Sequence, residues 1–117
     1  MKIYAKTDSD TLFTTTMLDY KTNYCISREY RYPKLEELKE TSDDEVIVII
    51  GYSFQHHEEL IHYLSTSGKP YIWIACDPYI RELQLRFPWL KTGVCGYISS
   101  KKTYETYRND ISLVLQP

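Results

Sequence analysis

Asp8 and Asp10 stand two residues apart just after an apolar opening segment. Two carboxylates at a strand end can bind a divalent cation through oxygen. The same pair also suits a plain turn with Asp10 as helix N-cap. His56 and His57 are adjacent, so on a helix they point about 100° apart and share no chelating face. His62 is no better spaced, and a solvated helix face accounts for all three histidines. Cys76-Asp77-Pro78 offers a thiolate and a carboxylate, but no cysteine or histidine lies at zinc spacing from it. Lys101 and Lys102 follow Ser99 and Ser100 at the start of a helical pattern, against the dipole preference. That placement suits an anion-holding role, and ordinary surface lysines are the plain alternative. There is no glycine-rich phosphate loop and no serine elbow.

The elements that must position these residues follow from hydrophobic spacing. Lys2–Lys6 alternates and reads as a strand. Thr7–Asp10 is polar punctuation before a helix over Thr11–Lys21, which Phe13, Met17 and Leu18 anchor. Tyr24–Tyr30 is β-prone, and Pro33–Glu40 reads as a helix with Leu35 and Leu38 on one face. Glu45–Ile50 and Tyr71–Ala75 are continuous apolar runs, the kind covered on both faces in a parallel sheet. Between them Gly51-Tyr52-Ser53 ends a strand, and Ser53 is the expected cap of a helix over Phe54–Ser65. A helix is expected from Pro78 to about Phe87, and a loop or short strand over Lys91–Ile98. Ser99 or Ser100 then caps a last helix in which Tyr104, Tyr107 and Ile111 recur, and Ser112–Leu115 reads as a final strand.

Strands alternating with helices at this rhythm predict an α/β domain over residues 1–117: three layers, with a mainly parallel sheet flanked by helices. Ligands in such sheets bind beyond the carboxyl ends of the strands. That rule selects Lys6–Thr11, Gly51–Ser53 and Cys76–Pro78. The 117 residues support one domain, and 43% hydrophobic content is too high for a disordered tail. A formal net charge of −2 gives no support for generic DNA binding or a polybasic membrane surface. No apolar run reaches the roughly 18 residues needed to span a bilayer. Cys25, Cys76 and Cys95, odd in number and widely spaced, fit free thiols in a cytoplasm rather than a disulfide framework. Twelve tyrosines against three phenylalanines supply flat rings with a polar tip, suited to interfaces and base stacking.

Taken in order, these loops resemble one family. Lys2–Leu12 looks like the opening strand and Asp-x-Asp motif of the DHH-family phosphoesterases. Glu45–Phe54, ending Gly51-Tyr52-Ser53-Phe54, is similar to that family's apolar strand ending Asp-Tyr-Ser-Phe. Lys69–Pro78 lies where the family has an apolar strand followed by Asp-His-His. Gly93-Val94 and the serine-headed helix are similar to the segment that comes next, so the likeness runs from residue 1 to about 108.

The resemblance implies the fold and the cleft of a two-metal phosphoesterase. Against that pattern, Lys6 stands at a histidine position, Gly51 at an aspartate position, and Ala75-Cys76-Asp77 at the triplet. Only Asp8, Asp10 and Asp77 remain as hard ligands, too few for a pair of cations. The expected function is therefore a catalytically inactive protein that binds a phosphate-containing nucleotide, with no metal and no cofactor. Lys6 supplies the cation that replaces metal. Asp8, Asp10, Thr11, Gly51, Tyr52, Ser53, Cys76, Asp77, Ser99, Ser100, Lys101 and Lys102 complete the expected ligand set. Such a protein suits a viral sponge that withdraws a cyclic nucleotide immune signal, working as a homo-oligomer in the host cytoplasm. The alternatives are a scaffold that inhibits a host protein and a residual metal-dependent phosphodiesterase.

Overall fold

The two apolar runs do what their composition requires. In the computed structural model, which describes residues 1–7, 27–55, 57–75, 82, 85 and 96–114, they form the inner strands of a five-stranded sheet. Strands β1 (Lys2–Ala5), β2 (Ser27–Glu29), β3 (Ile47–Ile50), β4 (Tyr71–Ala75) and β5 (Gly96–Ser99) lie in the order β2-β1-β3-β4-β5. The first four are parallel, and β5 runs antiparallel to β4, with Ile72 opposite Ser99 and Ala75 opposite Gly96. Every residue of β3 and β4 is buried, as strands covered on both faces must be. All three residues of β2, at the sheet edge, are exposed.

The pleat sorts side chains onto two cores. Tyr4, Ile47, Ile49, Tyr71, Trp73 and Ile98 face helices α1 (Leu35–Glu40) and α2 (Glu58–Ser67), which contribute Leu38, Leu60, Ile61 and Leu64. Ile3, Ala5, Val48, Ile50, Ile72, Ile74 and Tyr97 face α3 (Lys101–Val114), which contributes Tyr107 and Ile111. Helices on both faces of a mostly parallel sheet make the α/β layering expected from the sequence.

Four local expectations are corrected. The helix expected from Phe54 starts at Glu58 instead, with His57 as its N-cap. Phe54 is fully buried against Trp73, and the Ser53 hydroxyl accepts the Gln55 N–H at 3.0 Å, so a turn precedes the helix. The helix ends at Ser67, where Gly68 takes a left-handed φ of 78° that its lack of a side chain permits. Pro33 lies outside α1, whose N-cap is Lys34. Ser112 begins no strand: α3 continues to Val114, because Ile111 extends the helical stripe begun by Tyr107. The expected helix over Thr11–Lys21 lies outside the described residues, as does most of that from Pro78. Among the described residues no helix is long and apolar enough to cross a membrane.

Lys69 ties the two helices of one face together. Only 5% of it is exposed, and its ammonium donates to the carbonyls of Leu38 (2.7 Å) and Thr41 (2.8 Å) and to Thr41 Oγ1 (3.1 Å). A lysine from the α2–β4 loop thus satisfies carbonyls that the end of α1 leaves without helical partners.

Candidate functional site

In a parallel sheet the carboxyl ends of all strands share one edge. Here that edge gathers Lys6 and Thr7 after β1, Tyr30–Tyr32 after β2, and Gly51–Ser53 after β3. The order β2-β1-β3-β4 reverses direction between β1 and β3, and in open α/β sheets the crevice at such a switch point is where ligands bind. Lys6 and Gly51 flank it. The β ladder continues one residue past β1, since the Lys6 N–H donates to the Ile50 carbonyl at 3.1 Å. By strand alternation Lys6 therefore leaves the sheet on the face of Tyr4, the face of α1 and α2. Its side chain is exposed. Gly51 has a φ of 88° and donates its N–H to Ile74 at 3.0 Å. The Lys6 and Gly51 amides are thus spent on the sheet and do not serve an anion there.

The same face carries an aromatic cluster that sequence reasoning missed. Tyr32 stacks on His57 with ring centres 4.2 Å apart and planes 28° apart, and meets Tyr52 edge-on at 5.2 Å. Trp73 supports all of them from beneath, 5.9 Å from His57 and 6.2 Å from Tyr32. Its indole N–H donates to the Tyr52 carbonyl at 2.9 Å, so the buried tryptophan fixes the loop after β3. Tyr32, Tyr52 and His57 are half-buried, leaving ring surface at the edge. Burial, reinforced by the charge of Glu59, pushes the Tyr32 hydroxyl well above its ordinary pKa, so it stays protonated. Of its members the sequence singles out Tyr52 as a ligand residue; Tyr32 shows only as the Tyr32-Pro33 step after a strand, and His57 only as one of a histidine pair whose spacing suits a solvated helix face.

Beside this cluster Arg31 binds Glu37 and Glu29, and its guanidinium lies 5.6 Å over the Tyr4 ring. The Arg31 hydrogen bond holds the Glu37 carboxyl at about 2, against an ordinary 4.5. A depressed carboxylate stabilises the fold fully above its unfolded pKa, and that contribution is lost as pH falls through the folded value. Urea titrations should therefore show Glu37→Gln less stable than the parent at pH 6, with the gap closing between pH 4.5 and 2. A gap that stays constant across that window contradicts the pairing.

Ser99–Lys102 stand elsewhere. Because β5 is antiparallel, its carboxyl end lies beside Tyr71, at the start of β4, with the Ser100 N–H donating to the Tyr71 carbonyl at 3.0 Å. These residues sit at the opposite edge of the sheet from Lys6, roughly a strand length of 13 Å along the strand direction and three strands across. Their assignment to one cleft with Lys6 is corrected. Ser99 is a fully buried strand residue. The Ser100 hydroxyl accepts the Thr103 and Tyr71 N–H groups, both at 3.2 Å, which makes it the cap of α3. Lys101 and Lys102 are exposed at that far edge, beside a cavity of about 300 Å³ that also borders Lys69 and Tyr71.

Asp8, Asp10, Thr11, Cys76 and Asp77 lie outside the described residues. Among the described residues no group of three or more histidine, cysteine, aspartate or glutamate side chains is arranged to hold a metal ion. Comparison of the chain with protein-family models, with curated proteins and with solved structures gave no match.

Proposed function

We propose that the chain captures a phosphate-bearing nucleotide at the carboxyl edge of its sheet and holds it without hydrolysing it. One juxtaposition carries the reading: an exposed cation, Lys6, and a half-buried aromatic cluster, Tyr32, Tyr52 and His57, share one face at the switch point. An ammonium attracts phosphate as a point charge, and aromatic rings stack a base whatever its identity. The resemblance to DHH-family phosphoesterases supports the same edge as the ligand cleft. Lys6, Gly51 and Ala75 take positions where that family has metal ligands, and none of the three side chains can bind a cation. A ligand held intact is withdrawn from solution, which is how a sponge acts on a nucleotide signal.

Charge reversal at Lys6 tests this. In calorimetry with a panel of mononucleotides and cyclic dinucleotides, Lys6→Glu should remove the binding seen with the parent protein. Its melting temperature should move by no more than a degree or two, because an exposed side chain contributes little to stability. Undiminished nucleotide binding by Lys6→Glu overturns the reading.

A further inference from the structure

Beside the aromatic cluster lies a pocket of about 200 Å³ lined by Tyr32, Pro33, Leu35, His57, Glu59 and Leu60. Pockets that enclose a whole drug-sized ligand run to roughly 300–1,000 Å³, so this one takes a single ring system and leaves the rest of a ligand outside. The stacked Tyr32 and His57 rings form its aromatic side, and Pro33 and Leu60, both buried, give it an apolar floor. Among the described residues that line it, the carboxylate is Glu59, in the first turn of α2 and close enough to Tyr32 to act on the hydroxyl electrostatically.

Resting on the capture reading above, we propose that this pocket receives the base of the nucleotide and that Glu59 selects guanine. An ionised carboxylate only accepts hydrogen bonds, through two oxygens side by side. Guanine presents two neighbouring donors, N1–H and the N2 amino group, which match that pair as charge-assisted bonds. Adenine presents one amino donor beside the N1 lone pair, and cytosine one beside N3, so a carboxylate meets repulsion at its second oxygen. Uracil offers a single N–H between two carbonyls. Discrimination thus arises from an attractive pair for one base and an unfavourable contact for the others. Lys6 follows β1, the strand lying between those that lead into Tyr32 and Tyr52, so the same edge of the sheet offers a cation to the phosphate.

The test is calorimetric titration of the full chain with 5′-GMP and 5′-AMP, repeated with cyclic di-GMP and cyclic di-AMP. The parent protein should bind the guanine member of each pair at least about tenfold more tightly, the scale of a hydrogen bond to a charged group. Glu59→Gln should erase that preference with an unchanged melting temperature, since Glu59 is exposed. Tyr32→Ala should weaken guanine and adenine ligands alike by about tenfold, the scale of one lost stacking contact. Tyr32→Phe, which keeps the ring, should bind as the parent does. Equal affinity for the two bases, or a guanine preference that survives Glu59→Gln, overturns the inference while leaving capture standing. Failure of all four ligands to bind overturns both.

Discussion

Replacing Trp73 by alanine should lower the unfolding free energy by about 3–5 kcal/mol, the usual cost of removing a large buried aromatic side chain. Trp73 is fully buried, packs against Phe54 with ring centres 5.5 Å apart, and underlies Tyr32 and His57. A loss of that size is a large share of the roughly 5–15 kcal/mol that holds a small domain folded. Trp73→Phe is the sharper probe, because it keeps most of the packing and removes the N–H that holds the Tyr52 carbonyl. It should cost about 1–2 kcal/mol in urea unfolding, and amide exchange at Tyr52 and Ser53 should accelerate beyond what that global loss explains. Unchanged exchange at those two residues contradicts the role given to the indole.

The second large effect is at Lys69. Lys69→Met keeps the length of the side chain and removes the buried ammonium from the Thr41 and Leu38 carbonyls, of which Leu38 keeps the Thr41 N–H and hydroxyl as donors. Each lost hydrogen bond to a charged group is worth about 1.5–3 kcal/mol. The expected total is about 3 kcal/mol, or a melting temperature lower by roughly 10 °C. Lys39→Met, at an exposed lysine in the last turn of α1, should stay within about 0.5 kcal/mol. Equal effects of the two changes would show that burial of Lys69 carries no special weight.

These two residues mark where the sequence was legible and where it was not. Val46–Ile50 and Tyr71–Ala75 announced inner parallel strands, because a strand covered on both faces has no position for a polar residue. Tyr104, Tyr107 and Ile111 announced the last helix, and Ser100 its cap. The direction of β5 left no such trace. Four residues, Gly96–Ser99, pair equally well either way, and packing over the whole sheet decides. That one undetermined direction moved Ser99–Lys102 from the expected cleft to the far edge. Ser53 misled for a related reason: it is a good cap by type, yet the core claimed Phe54 and delayed the helix to Glu58. Lys69 gave no signal, since the carbonyls it serves are 28 and 31 residues away. The Tyr32–His57 stack was hidden in the same way, because it joins segments 25 residues apart that only the sheet order brings together.

Capture without cleavage is the central claim, and the fate of the ligand tests it most directly. The protein is incubated with GMP, AMP, cyclic di-GMP and cyclic di-AMP in the presence of manganese, freed of unbound nucleotide, denatured by heat, and the released material weighed by mass spectrometry. The released nucleotide should have unaltered mass and stand in fixed proportion to protein. Release of a linearised or dephosphorylated product, or of no nucleotide, contradicts the claim.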